Sequence, residues 1–481
     1  MHSDTAVLII DMQDEFLTRA GMFKRPVDGR ALVGPLTMLL DAARHNHHTI
    51  VWITSQYPER AAFPEPLRPP RPPGPRYADV PMNTDRLASG HAGRPCCAPG
   101  SDTARMYAPV AALMQPDDLR VVKHRYSAFG ETDLAQMLRE RGVRRVAVCG
   151  VVANVCVRAT AADAFFCGFE VDAIEDGIGA TDSKRMREGL DVIEKHYGTI
   201  RSAVEMLGRW GFERRGLGAG DSGVLYGVLP NEIADGALAA VREEVDWQEM
   251  YHRGGLVPRQ IAIQGTREGD REPLYRHPAD EQPALVSWTP LVDRIRTVVA
   301  ERLGQALNHA LIQRYPDGSS NISLHADKTL DVARGSVIVN YSLGATRTML
   351  LQSKTRGENG QFPSQRVELP HNSLFLLGWE TNRTFKHGIR PDKRADIEKR
   401  RDELRYGGER ISLTLRTIAT FRTDDGAVVG QGARTGPPMA PEEERHALLI
   451  AFGTENRDPD FDWDAHYGQG FDRINFRDRR R

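Results

Sequence analysis

The predicted elements change their order of succession once along this chain, and no single sheet can satisfy both halves. Over residues 5–207 short apolar runs alternate with amphipathic stretches. The runs at 5–11, 49–55, 120–123, 143–150 and 170–174 read as buried strands, and 30–45, 132–141 and 154–167 have helical spacing. Strands separated by helices can pair in parallel, which predicts an α/β doubly wound parallel sheet. From residue 224 the pattern is different. After helices near 230–245 and 291–309 come β-type runs at 310–315, 321–325, 336–343, 347–352, 373–377 and 410–421. Strands grouped without helices between them predict an antiparallel sandwich or jelly roll. The expected organisation is multi-domain: a first domain at 1–207, a linker at 208–223, a second domain at 224–423 and an acidic extension at 424–481 packed on the second domain. The linker contains RRGLGAGDSG, whose glycines imitate a phosphate loop without an expected strand before them. The proline-rich stretch 64–81 can be neither helix nor central strand and is expected to run over the surface.

Composition bounds the setting. Of 481 residues 40% are hydrophobic and 27% charged, as in ordinary globular proteins. No apolar run approaches the roughly 18 residues that cross a bilayer, so no membrane partner is expected. The opening MHSDTAVLIIDMQ lacks a basic n-region and a cleavage site, which disfavours a signal peptide. Five cysteines, an odd number confined to residues 96–167, do not make a disulfide framework. A reducing intracellular compartment, cytoplasm or nucleus, is therefore expected, with a free thiol available for chemistry. Lys and Arg total 64 against 65 Asp and Glu, a net charge of -1, so no basic footprint for nucleic acid stands out. Basic and acidic residues number 26 and 26 over 1–210, 30 and 27 over 211–423, and 8 and 12 over 424–481. The middle block is thus mildly basic and the tail acidic. The stretch 383–405, with 9 basic and 5 acidic residues, reads as a solvated surface.

Three polar residues fall at predicted strand ends of the first domain. Asp11 ends AVLIID, Lys123 ends LRVVK, and Cys156 opens the helix after VAVCGVVAN. Ligands of open α/β sheets bind beyond the carboxyl ends of strands, so the three can converge on one crevice. A helix N-terminus and Lys123 are expected to lower the Cys156 pKa. Asp11 would then take the thiol proton, and free amides at 151–156 would hold an oxyanion. Singly, each residue reads more simply as a cap, a solvated cation or a core thiol. Together, AVLIIDMQDEF, VVKHRYSAFGETDL and VAVCGVVANVCVRATAADAFFCGFEV resemble the signature blocks of the isochorismatase-like cysteine hydrolases over about 5–207. The resemblance implies Cys156 as nucleophile, Asp11 as general base, Lys123 as electrostatic partner, and a cis peptide at Val151–Val152. It also implies a small amide or related substrate and leaves open a homo-oligomer through this domain. WITSQYPER lacks the Asp-x-His of the metal-dependent nicotinamidases, which disfavours that activity.

In the second domain NISLHADK places His325 and Asp327 two apart on a predicted strand, hence on one face, and His387 follows in TFKHGI. Two His and one carboxylate on one face of iron leave three positions for co-substrate and dioxygen. Arg410 and Arg416, six apart on GERISLTLRT, also share a face, and a buried Arg there demands an anion. The blocks LIQRYPDGSSNISLHADKTLD, GSVIVNYSLGATRTMLLQ, LPHNSLFLLGWETNRTFKHGIRP and RISLTLRTI resemble the AlkB-like Fe(II)/2-oxoglutarate dioxygenases over about 225–421. That resemblance implies a double-stranded β-helix, Fe(II) held by His325, Asp327 and His387, and 2-oxoglutarate bound by Arg410 with Tyr315, Gln313 and Arg416 in support, O2 being the oxidant. Gln313 and Ser412 stand where the family usually has Asn. Thr329 replaces an acid that repair enzymes place near a cationic alkylated base. Arg259 and Tyr275 fall in the substrate-lid region, as phosphate and base contacts or as ordinary loop residues.

The sequence thus predicts a bifunctional enzyme whose oxygenase half dealkylates N-alkylated bases of DNA or RNA. A flipped or single-stranded base is required for such chemistry. Two other readings stand beside it. One is a small-molecule oxygenase–hydrolase of metabolism; the other gives one half only a binding or dimerisation role.

Overall fold

The computed structural model describes residues 3–57, 96–252, 255–278 and 283–474, so the proline-rich stretch 64–81 lies outside the described residues. Two compact units divide between Trp210 and Gly211.

The first unit is a six-stranded parallel sheet. Its strands are β1 (Thr5–Ile10), β2 (Thr49–Ser55), β3 (Leu119–Lys123), β4 (Arg145–Val151), β5 (Glu170–Gly179) and β6 (Thr199–Arg201). They lie in the order β3-β2-β1-β4-β5-β6. All of β1 is buried, as expected for a Val/Ile-rich strand covered on both faces. The helix Ser183–His196 starts on the side chain of Asp182, and a Ser202–Glu205 capping box opens Ala203–Arg209. The chain builds outward from β1 to β3, then returns to lay β4 on the other side of β1. The switch point therefore lies between β1 and β4, where an open α/β sheet leaves its crevice. Gly150 makes the close pairing there possible: its φ is +110, and a Cβ would sit 2.0 Å from the Ile10 carbonyl oxygen.

The second unit contains β7 (Glu213–Leu217), β8 (Ser222–Tyr226), β9 (Gln248–His252), β10 (Gly255–Gly265), β11 (Arg271–Pro273), β12 (Leu285–Val286), β13 (His309–Tyr315) and β14 (Ile322–His325). It continues with β15 (Ile338–Gly344), β16 (Arg347–Ser353), β17 (Ser364–Leu369), β18 (Ser373–Leu377), β19 (Phe385–Ile389), β20 (Arg410–Arg416), β21 (Thr420–Thr423) and β22 (Val428–Gly430). A large sheet runs β12-β10-β13-β20-β15-β18-β8-β7 with β9 beside β10, and a smaller one runs β14-β19-β16-β17. Apart from β10–β12 the pairings of these two sheets are antiparallel, the jelly-roll arrangement. Helices Asn231–Glu244 and Pro290–Leu303 join one core with the large sheet through Leu238, Val241, Ile295 and Val299 against Ile312 and Leu413. The opposite face of that sheet borders a cavity of about 890 Å³.

Two expectations are corrected. The segment 208–223 is not a linker: β7 and β8 form a hairpin on the edge of the large sheet, because SGVLY is wholly buried against β18. The run 410–421 breaks into β20 and β21, which belong to different sheets. SQRVEL, outside every predicted run, also pairs as β17 on β16. Beyond residue 424 the helices Pro441–Arg457 and Trp463–Tyr467 bury Leu448, Phe452 and Tyr467 against Leu330. Among the described residues no helix is long and apolar enough to cross a membrane.

Candidate active sites

In the first unit Asp11 follows β1, Lys123 ends β3, and Cys156 lies in a wide helical turn, Ala153–Val157, after β4. All three side chains are buried and meet at the switch point. Asp11 has a left-handed backbone (φ 52), held by its N–H donating to the Ile53 carbonyl at 2.9 Å. Lys123 Nζ is 2.8 Å from Asp11 Oδ2 and donates to Ser55 Oγ at 2.7 Å. Ser55 Oγ in turn donates to Asp11 Oδ1 at 2.9 Å. Burial alone would lower the Lys123 pKa, but Asp11 and its neighbours raise it above the ordinary range, so Lys123 stays charged. The Cys156 thiol lies within electrostatic reach of both.

Two expectations fail in detail. Burial pushes the Cys156 thiol up, Lys123 opposes this and Asp11 adds to it, so the thiol is held protonated and not lowered as the helix-terminus argument predicts. The Val155 amide, counted among the free donors at 151–156, donates to the Val152 carbonyl at 3.1 Å. The Val151–Val152 peptide is cis. Sequence reasoning missed Ser55 and Tyr57, whose hydroxyls lie 3.3 Å apart. The signal was available: Ser55 ends β2 in register with Lys123.

In the second unit His325 ends β14 and faces His387 across the β14–β19 pair, with ring centroids 4.4 Å apart. Asp327 is not on that strand. It lies in the following loop and still brings Oδ1 to 3.6 Å from His325 Nε2 and 3.7 Å from His387 Nε2. The three donor atoms fall within 4.8 Å of one another. Asp327 is buried, which would raise its pKa, but Arg416 and both histidines hold it well below the carboxylate range. Burial, then His325, pulls His387 down to about 3, leaving a neutral imidazole. Two neutral-capable imidazoles and one carboxylate fit a divalent transition metal.

Arg410, at the start of β20, is 1% exposed. Its Nη2 donates to Asn340 Oδ1 at 2.9 Å and Ser342 Oγ at 2.8 Å, while Nε and Nη1 have no partner. Tyr315 lies under the guanidinium at 5.3 Å, and its hydroxyl donates to Gln313 Oε1 at 3.3 Å. Burial lowers Arg410 to about 10, still cationic at neutral pH. A buried guanidinium with two idle donors beside the cavity fits an anionic co-substrate. Arg416, expected in support of that co-substrate, borders the same cavity with Nη1 unpartnered, and places Nη2 2.7 Å from Asp327 Oδ2, with its guanidinium 4.0 Å above the Tyr275 ring. Arg259 borders the cavity and donates to the Asn321 carbonyl at 3.2 Å. Thr329 is tied by both amide and hydroxyl to Glu455. Asn340, Ser342 and Asn382 were missed, although the first two are polar interruptions in an otherwise apolar strand.

The family model of the isochorismatase domain matches residues 5–205, and that of the 2OG-Fe(II) oxygenase superfamily matches 221–416. The chain is 36% identical over 136 residues to the DNA oxidative demethylase ALKBH2 of Homo sapiens, covering 27% of this chain and 47% of that protein. It is 32% identical over 98 residues to the ureidoacrylate amidohydrolase RutB of Caulobacter segnis, covering 20% of this chain and 41% of that protein. The chain spans about half the length of the demethylases it matches. Among solved structures, a cysteine hydrolase from Pseudomonas syringae pv. phaseolicola is 25% identical with a TM-score of 0.35, covering 43% of this chain and 92% of that one.

Proposed function

We propose that this chain, which joins an isochorismatase domain to a 2OG-Fe(II) oxygenase domain, is a bifunctional enzyme with a separate reaction at each site. The oxygenase reading rests above all on the His325–Asp327–His387 triad beside a buried Arg410 with two idle donors. Fe(II) bound by the triad supplies oxidative decarboxylation of 2-oxoglutarate by O2 and hydroxylation of a substrate C–H bond. Arg410 would fork onto the distal carboxylate of 2-oxoglutarate, with Tyr315 packed beneath and Gln313 orienting the tyrosine hydroxyl. Arg416 would fix the orientation of the Asp327 carboxylate.

The similarity to DNA oxidative demethylases supports N-alkylated DNA or RNA as the oxygenase substrate. Hydroxylation of the N-alkyl carbon yields a hemiaminal that releases an aldehyde and the repaired base. The test is anaerobic loading with Fe(II), then addition of O2, 2-oxoglutarate and N-methylated oligonucleotides, with succinate and formaldehyde measured together. Equimolar release, abolished in His325→Ala, is expected. Succinate release with small heterocycles and none with any oligonucleotide would overturn it. A second reading, oxidation of a small molecule, is favoured by Thr329, whose own side chain is neutral and is bonded, with its amide, to Glu455.

In the hydrolase half Asp11 would take the thiol proton as Cys156 attacks a small amide and pass it to the departing nitrogen, so that a thioester forms, the C–N bond breaks and a neutral amine leaves. Lys123 and Ser55 hold the carboxylate in place for that transfer and for later activation of water. Amine release from a panel of small amides and ureas, lost in Cys156→Ala, is the expected result.

A further inference from the structure

The loop carrying Asp327 leaves β14 at His325, and its next four amides lie outside any strand ladder. Each of the four is held by a side chain. Ala326 N–H donates to Asn456 Oδ1 at 2.9 Å, Asp327 N–H to Asn382 Oδ1 at 2.9 Å, Lys328 N–H to Tyr275 OH at 3.1 Å, and Thr329 N–H to Glu455 Oε1 at 2.9 Å. Two of these four acceptors come from the helix Pro441–Arg457, which begins well beyond residue 416 where the family match ends.

We propose that this C-terminal helix is a working part of the oxygenase site, and that Asn456 is a positioning residue for its metal ligands. The inference rests on the reading of His325, Asp327 and His387 as an Fe(II) site. Asn456 accepts from the amide of Ala326, the residue between two of those ligands, so it fixes the backbone from which both side chains depart. Leu449, Phe452, Gly453 and Asn456, spaced at i, i+3, i+4 and i+7, form one face of the helix, and that face borders the cavity. The helix is anchored from behind. Glu455 is 2% exposed and accepts from the Tyr467 hydroxyl at 2.7 Å, while its backbone carbonyl accepts from Lys354 Nζ at 2.7 Å. Leu448 and Phe452 close the small core over Leu330, just past the ligand loop. A buried amide whose acceptor is removed must find another, and here a shift of the loop moves Asp327 relative to the two imidazoles.

The experiment uses the full chain, with Fe(II) affinity read by anaerobic equilibrium dialysis and loop order read by hydrogen exchange of the peptide around 323–331. Asn456→Ala is expected to weaken Fe(II) binding about 10-fold and speed exchange, and Asn456→Asp, which keeps the acceptor oxygen, to stay within about 3-fold of the parent. Ile450→Ala, on the exposed face of the same helix, is expected to change neither. Parent-like affinity in Asn456→Ala overturns the proposal. So does an equal loss in all three variants, since that assigns the helix to general stability. A parent chain that binds no Fe(II) would instead sink the reading of the triad and take this inference with it.

Discussion

At the scale of residues, each site is built around a buried charge with an arranged partner. Lys123 and Asp11 form a fully buried pair, and removing one leaves the other uncompensated. Lys123→Met is expected to cost about 3–5 kcal/mol in the unfolding transition of the first unit, followed by chemical denaturation. Cys156 is different, because burial works against its charged form. A thiol raised above its ordinary value is protonated at neutral pH and becomes thiolate only further into the alkaline range. Labelling of Cys156 by iodoacetamide should therefore rise with pH only beyond the ordinary thiol midpoint of about 8.5. A midpoint at or below that value would contradict the raised pKa. In the second unit Arg410→Ala should weaken 2-oxoglutarate binding by roughly 100-fold, two charge-assisted hydrogen bonds at about 1.5 kcal/mol each, with Fe(II) affinity little changed. Isothermal titration separates the two. Arg410→Lys keeps the charge but not the fork, and only partial recovery is expected.

Elements matter through how closely they approach. The helix Ser183–His196 packs on the turn that carries Cys156, and Gly189 lets it do so: a Cβ there would lie 2.6 Å from the Ala153 carbonyl carbon. Gly189→Ala is expected to destabilise the first unit by about 1–3 kcal/mol, read by thermal unfolding, and to slow amide hydrolysis by displacing the turn. A variant with unchanged melting and turnover would remove helix approach as a determinant of the site. Strand pairing does comparable work in the second unit, where the β14–β19 register sets His325 opposite His387. That register was only half readable: His325 ends a predicted β-type run, whereas His387 falls in the stretch 383–405, which reads as solvated surface but contains β19. The position of Asp327 was not readable. The spacing His-x-Asp suggests one strand face, yet β14 stops at His325 because side chains, and not a neighbouring strand, take the following amides.

For the whole molecule, the two sites are assigned to different units with different chemistries. In the full chain His325→Ala should abolish succinate release and leave amide hydrolysis intact, and Cys156→Ala should do the reverse. Loss of both reactions in either variant would show that the sites are coupled. The succession of elements was legible from the residues alone, because helical and strand periodicities are local and parallel pairing requires a crossover. So were Asp11, Lys123 and His325, as reactive groups standing at the ends of predicted apolar runs. Their partners were not legible. Ser55 reaches Asp11 from 44 residues away, Asn382 reaches Asp327 from 55, and Asn456 reaches Ala326 from 130. Nothing in local spacing selects those pairs, and the same is true of the hairpin that replaced the expected linker. The direction of the Cys156 shift also waited on the fold. A neighbouring cation or helix end can be read along the chain, but desolvation depends on everything packed around the sulfur, which only the tertiary structure brings together.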